Sequence, residues 1–333
     1  MSRNTKYLVT MGELKRKDNS LVFINEKGNN YIPIENVREI YCMNEISINS
    51  KLLDFLGRSG VVVHFFNYYT QYSGTFYPKE YLVSGKLLVK QVETFNNNRL
   101  EIAKCFVKSI AINIHEILYH YYRHGKSEVK EYLDWLNKDA IKLIEKSRKI
   151  EELLFVEGEI WKNFYSNFKI FLNEDFWMSS RVRRPPDNPI NALISFGNSI
   201  LYTKTITEIF NTHLNPSISY LHSPSEGRFS LALDISEGFK PVIVFKTIFE
   251  LANRKMLKVN ENFDKKLNYC ILNEKGKNIF VQALEERLND TFMHPTLRRK
   301  VSYKTAIRLD CYKLIKCVVE NKEFKPFNFK EMA

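Results

Sequence analysis

Residues 220–245, YLHSPSEGRFSLALDISEGFKPVIVF, set one histidine, His222, ahead of a polar loop. An amphipathic run carrying Asp234 and Glu237 follows. Far upstream, LLFVEGEIW adds Glu157 and Glu159. Carboxylate oxygens with an imidazole nitrogen are a donor set for a catalytic divalent cation, which keeps positions open for water and phosphate. Glu157 interrupts an apolar run. At roughly 100° per residue it shares a helix face with Leu153, Leu154 and Trp161, and Glu159 turns away. An inward carboxylate is costly unless paired or metal-bound, so Glu157 is expected to meet a metal or an arginine. Gly158 beside it would let substrate or another backbone approach. Asp234 and Glu237 occupy neighbouring positions on one helix face. One could ligate metal while the other orients His222 or a bound water.

The charge balance suits the same chemistry. Lys+Arg total 50 against 38 Asp+Glu, a formal net charge of +12. Such a surplus favours phosphate-rich partners, because each neutralised phosphate releases counterions. Arg181, Arg183 and Arg184 precede Pro185 and Pro186 on what reads as a stiff loop, and guanidinium binds phosphate in bidentate fashion. Pro189 then opens a helix whose N-terminus favours anions. Arg298, Arg299 and Lys300 form a second basic cluster. A third, over residues 142–149, is interleaved with glutamate and reads as a solvated helix face. These clusters make Arg181, Arg183, Arg184, Arg298, Arg299 and Lys300 the expected DNA contacts. His115 and His120 mimic a zinc-protease pair but are one residue too far apart to share a face.

Two kinds of element must position these groups. Short β-branched or aromatic runs at 7–9, 20–24, 31–34 and 37–42 read as strands, separated by turn residues at 17–19 and 27–30. Residues 50–60 read as a short helix stopped by glycine. VVVHFF at 61–66 reads as a strand buried on both faces. A small sheet of this kind has trouble covering both faces alone, and a second copy of the chain could cover the remainder. From Leu87 the apolar spacing turns helical, running to Tyr122 and broken at Gly125. Helical patterns continue at 128–136, 140–149, 150–168 and 190–213. The rest reads as mainly helical, with a strand excursion near 267–279. The fold class is therefore α+β. A small N-terminal β-rich domain, residues 1–85, precedes a large, mainly α-helical domain, residues 86–333, with the boundary at Leu82–Leu88.

The chain has 333 residues, 44% of them hydrophobic, enough to bury a substantial core. Its 5 cysteines form no CxxC pair, which argues against a disulfide framework or zinc ribbon. The N-terminal residues lack a signal-peptide core, and no apolar run is long enough to span a bilayer. A cytoplasmic protein is the expectation by exclusion.

Three motifs in order resemble one family. They are Glu157 before Gly158; a basic Pro-Pro segment running into NALISFGN at 191–198; and His222, a gap, SLALDISEGF at 230–239, then Lys240 and Pro241. Together they resemble the CRISPR-associated integrase–endonuclease that acquires new spacers, the larger adaptation subunit. The resemblance implies a metal site of Glu157, His222 and Glu237 holding Mg²⁺ or Mn²⁺, with Asp234 a nearby acid. It also implies a homodimer joined largely through the β domain, assembly with the small adaptation subunit, and double-stranded DNA partners, the protospacer and the CRISPR repeat. Several members carry aspartate where this chain has Glu237, whose longer side chain moves the oxygen outward. The implied chemistry is in-line attack of a DNA 3′-hydroxyl on a phosphodiester, with water giving endonuclease cleavage at the same site. The alternatives are a non-catalytic nucleic-acid-binding scaffold and a general metal-dependent nuclease.

Overall fold

The computed structural model describes residues 4–79 and 84–332. The expected boundary therefore begins, at Leu82, outside the described residues. The chain opens with β1 (Asn4–Leu8), β2 (Gly12–Lys17), β3 (Ser20–Asn25), β4 (Gly28–Pro33), β5 (Val37–Cys42), β6 (Ile46–Ser47), α1 (Ser50–Arg58), β7 (Val62–Phe66) and β8 (Tyr72–Phe76). One sheet has the order β1-β5-β7-β8, parallel except for β8. The other has the order β4-β3-β2-β6, with β6 parallel to β2. Leu14, Leu21, Phe23 and Ile32 of the second sheet share a core with Ile40, Cys42 and Val63 of the first and with Leu52 and Leu56 of α1. The N-cap of α1 is Asn49, whose Oδ1 accepts from the Leu52 N–H at 2.9 Å. The strand β2 was not expected. Its sequence, GELKRK, turns Leu14 inward and spends Glu13 and Lys15 on an outer-face ion pair at 2.7 Å, so apolar alternation is nearly absent.

The other face of the first sheet is not left for a second copy. The chain's own helices cover it. Tyr41 and Phe66 enter the helical core. Glu39, wholly buried, meets Lys204 Nζ at 2.8 Å, and His64 Nε2 stands 2.9 Å from Thr207 Oγ1. The strand at 61–66 is thus buried on both faces, as its composition requires, with one chain supplying both covers.

The helical part runs α2 (Gly85–Arg123), α3 (Lys130–Trp135), α4 (Ile141–Lys146), α5 (Ile150–Ser166), α6 (Phe168–Phe171), α7 (Pro189–Phe210), α8 (Ser230–Lys240), α9 (Lys246–Asn253) and α10 (Val259–Asn262). A hairpin of β9 (Phe263–Lys266) and β10 (Tyr269–Leu272) follows, then α11 (Glu274–Asn289), a second hairpin of β11 (Thr291–His294) and β12 (Arg299–Ser302), and α12 (Tyr303–Glu320). The expected excursion at 267–279 is therefore displaced. Asn273 caps α11 and makes residues 274–279 helical. The central helix is α7, buried along almost its whole length. Gly197 admits its neighbours, because a Cβ there would lie 2.6 Å from Val244 Cγ1. Among the described residues no helix is long and apolar enough to cross a membrane.

Candidate metal centre

Glu157 stands half-buried on α5, at the margin of the side that sinks Leu153, Ile160, Trp161 and Phe164 into the core. Glu159 faces outward and pairs with Lys162 at 3.2 Å. A Cβ on Gly158 would meet nothing within 4 Å, so no backbone makes the close approach that a glycine there suggested. Asp234 and Glu237 lie on α8, both buried. His222 lies on the loop between α7 and α8.

That loop belongs to no helix or strand, yet its backbone is gripped on both sides. Asp234 Oδ2 accepts from the N–H of Tyr220 at 2.6 Å and of Leu221 at 2.9 Å. Asp234 Oδ1 accepts from the N–H of His222 at 3.0 Å and stands 2.8 Å from His222 Nδ1. A carboxylate oxygen only accepts, so Nδ1 carries a proton and Nε2 is the ring nitrogen left for a ligand. From α2, Arg99 donates to the carbonyls of Tyr220 at 2.8 Å and Leu221 at 3.4 Å. Gln91 exchanges two hydrogen bonds with the backbone of Asn215, at 2.9 and 3.3 Å, farther up the same loop. Sequence reading missed Arg99 and Gln91, because each reaches a partner more than a hundred residues away and leaves no local period.

Glu237 Oε1 accepts from Lys240 Nζ, and Lys240 also lies 5.8 Å from the centre of the Trp161 ring. Glu237 Oε2 is buried with no hydrogen-bond partner among the described residues. An unpaired buried oxygen of this kind is costly. Burial first, then the Glu237 carboxylate, push the Glu157 carboxyl up to about 7, against Lys240, His222 and a hydrogen bond from Trp161. For His222, burial works to lower the pKa. The bond to Asp234 and the charges of Asp234, Glu237 and Glu157 outweigh it and leave the pKa raised.

Among the described residues no three His, Cys, Asp or Glu side chains are already drawn together tightly enough to enclose an ion. Glu237 leans on Lys240, and Asp234 is spent on the loop. The donor chemistry still fits a hard dication. The Glu237 charge raises the cost of ionising Glu157, Glu237 has an orphaned oxygen, and His222 offers Nε2.

The basic groups divide. Arg181 is tied into the first turns of α7, with Nη1 3.0 Å from Asn191 Oδ1 and Nη2 2.9 Å from Ser195 Oγ. It therefore anchors the loop, and Arg183 and Arg184 are the exposed pair. The charges of Arg181, Glu237, Arg183 and Glu157 all act on the Tyr165 hydroxyl, which burial raises to about 12, so the loop lies beside the acids. Asn188 Oδ1 caps α7 by accepting from the Asn191 N–H at 2.9 Å, which occupies part of the anion site expected there. Arg298, Arg299 and Lys300 are exposed on the β11–β12 hairpin, where a helical segment was expected. Among the described residues no hydrogen bond or ion pair joins them to Glu157, His222 or Glu237.

The family model described as "CRISPR associated protein Cas1" matches residues 6–286 of this chain. A "CRISPR-associated protein Cas1 1" from Methanobrevibacter ruminantium is 46% identical over 329 residues, covering 98% of this chain and 99% of the relative. A "CRISPR-associated endonuclease Cas1 2" from Thermodesulfovibrio yellowstonii is 44% identical, covering 98% of both. The solved structure of a CAS1 protein from Thermotoga maritima superposes with a TM-score of 0.85 at 36% identity, covering 96% of this chain and 98% of that one.

Proposed function

Because this chain belongs to the Cas1 family of CRISPR-associated proteins, we propose that it is a divalent-metal-dependent DNA endonuclease and integrase. It would insert short DNA fragments into a CRISPR array, with Glu157, His222 and Glu237 holding Mg²⁺ or Mn²⁺. The observation that carries this reading is the buried, unpartnered Glu237 Oε2, set against a second carboxylate held near neutral pH and a histidine presenting Nε2. A buried carboxylate oxygen without a partner, beside a second carboxyl whose ionisation is made costly, is an expense that a metal site accounts for even with Lys240 on the other oxygen.

When bound, such a cation stabilises charge on the phosphodiester and acidifies the attacking hydroxyl. The chain's own groups do the rest. Asp234 fixes the tautomer and direction of His222, and Arg99 holds the loop from the opposite side. Lys240 neutralises Glu237. Arg183 and Arg184 would track the DNA backbone near the acids, contributing register without sequence preference. A DNA 3′-hydroxyl as nucleophile gives joining; water gives cleavage. An inserted fragment has two ends and needs two transfers, which favours a homodimer of paired sites. Assembly with the small adaptation subunit would set the spacing between them.

The test uses a labelled duplex with free 3′-hydroxyls, a supercoiled plasmid bearing a CRISPR repeat, and the small subunit, with Mn²⁺ or with chelator. Label should enter the plasmid only with metal. Joining in chelator would overturn the metal reading, and DNA binding without cleavage or joining would favour a scaffold.

A further inference from the structure

We propose that Asn113 of α2 is a positioning residue for Glu237, and that the C-terminal segment at 324–329 is the strap that holds Asn113 against α8. The proposal rests on the reading of Glu237 as a metal ligand. The helical ladder breaks just after that residue. Pro241 has no N–H, so the Glu237 carbonyl four residues back loses its usual donor, and a π turn follows over Pro241–Phe245. Glu237 Oε2 has no partner, and Lys240 on Oε1 is the carboxylate's one side-chain partner among the described residues, so the α8 backbone must share in setting its direction.

Asn113 supplies the missing constraint. It is fully buried, and its Nδ2 donates to the carbonyl of Gly238 at 2.8 Å. Contact is so close there that a Cβ on Gly238 would lie 2.5 Å from Ser109 Oγ. The rest of the amide is spent on the strap. Asn113 Oδ1 accepts from the Phe329 N–H at 2.7 Å, and Nδ2 also reaches the Phe327 carbonyl at 3.3 Å. The Phe327 carbonyl accepts from Ser109 Oγ at 2.6 Å, and its N–H donates to Asp310 Oδ2 of α12 at 2.6 Å. Its ring stacks on Phe239 with centroids 4.6 Å apart. The two residues that follow Glu237, Gly238 and Phe239, are thus held by one buried amide and one strap residue. Phe327 has both its N–H and its carbonyl bonded and its ring buried, and the Phe324 ring is buried as well, which a passive tail does not need.

The experiment measures Mn²⁺ binding by calorimetry and DNA cleavage for full-length Asn113→Ala and Phe327→Ala, with Leu52→Ala as a control. Leu52 lies in the core between the sheets and should lower thermal stability without touching metal affinity. Asn113→Ala and Phe327→Ala should weaken Mn²⁺ binding roughly tenfold, the low end of what loss of an outer partner of a ligand causes. Saturating Mn²⁺ should restore much of their cleavage. If Asn113→Ala does not fold, Phe327→Ala decides the matter. A folded variant with lowered thermal stability but wild-type Mn²⁺ affinity would reduce the contact to packing and overturn the proposal. Unchanged Mn²⁺ affinity in Glu237→Ala would instead overturn the ligand reading on which it rests.

Discussion

Asp234→Asn preserves volume and changes which atoms can accept. The carboxylate takes three backbone N–H groups, at 2.6, 2.9 and 3.0 Å, and His222 Nδ1 at 2.8 Å. An amide has one accepting oxygen. If that oxygen stays toward Tyr220 and Leu221, its NH₂ faces the His222 N–H and Nδ1. The imidazole must then accept at Nδ1 and carry its proton on Nε2, where it cannot ligate. If the amide turns over, Tyr220 and Leu221 lose their acceptor instead. Either arrangement removes two hydrogen bonds to a charged group, at a cost of roughly 3–6 kcal/mol if the loop does not relax. Metal affinity and cleavage should fall roughly 10–100-fold, less than on removing a ligand outright. The pKa of His222 should also drop, because burial then acts without the hydrogen bond and charge of Asp234. Nitrogen-detected NMR of the imidazole reads tautomer and titration directly, beside a cleavage assay. Retention of the Nδ1–H tautomer, the raised pKa and wild-type cleavage in Asp234→Asn would refute the argument that Asp234 sets the state of His222.

Three further outcomes follow from the same geometry. Lys204→Met strips buried Glu39 of its nearest cation, leaving Lys304 at 4.0 Å, and should destabilise the fold by roughly 3–5 kcal/mol in denaturant titrations. Adding Glu39→Gln should recover most of that loss, and no recovery would mean the ion pair is not the cause. For pH, burial, working against the Glu39 contacts, lowers His64 below its ordinary 6.5. Burial raises Glu39 and Glu285, but Lys204 foremost outweighs it and lowers both below their ordinary 4.5. All three bind fewer protons folded than unfolded, so their share of stability rises with pH, while Glu157 and His222, whose pKa values are raised, contribute in the opposite sense. The His64 share is fully present above about 6.5 and lost as pH falls below it, and the carboxylate share goes at lower pH still. Between pH 7 and 5 the thermal midpoint of His64→Gln should lose less, or gain more, than that of the wild type; equal changes would exclude a His64 contribution. Arg183→Ala with Arg184→Ala should flatten the slope of log DNA affinity against log salt by roughly one per lost contact. Arg181→Ala should instead lower thermal stability, because its guanidinium bonds α7. An unchanged slope in the double variant would return that pair to solvent.

Local periodicity made much of the framework legible. The apolar run at 61–66, the long helical pattern ended at Gly125 and the inward face of α5 all match elements in the structure. What stayed hidden depends on distance or on charge. The ladder pairing of β2 runs through charged side chains, so its alternation is nearly silent. The second face of the first sheet looked open because Lys204 and Thr207, which help cover it, lie far along the chain on α7. The acids of the candidate centre were legible as types and spacings. Their division of labour was not: that Asp234 is fully spent on the loop, while Glu237 keeps an orphaned oxygen, follows from contacts that no spacing encodes.

The most direct test of the centre is a calorimetric Mn²⁺ titration of the wild-type chain beside Glu157→Ala, His222→Ala and Glu237→Ala, each checked for native circular dichroism. The account predicts one site per chain in the wild type, with affinity lost or weakened by more than about a hundredfold in each variant. Folded variants that bind Mn²⁺ as the wild type does would contradict it, because the metal would then lie elsewhere and the buried Glu237 oxygen would need another explanation.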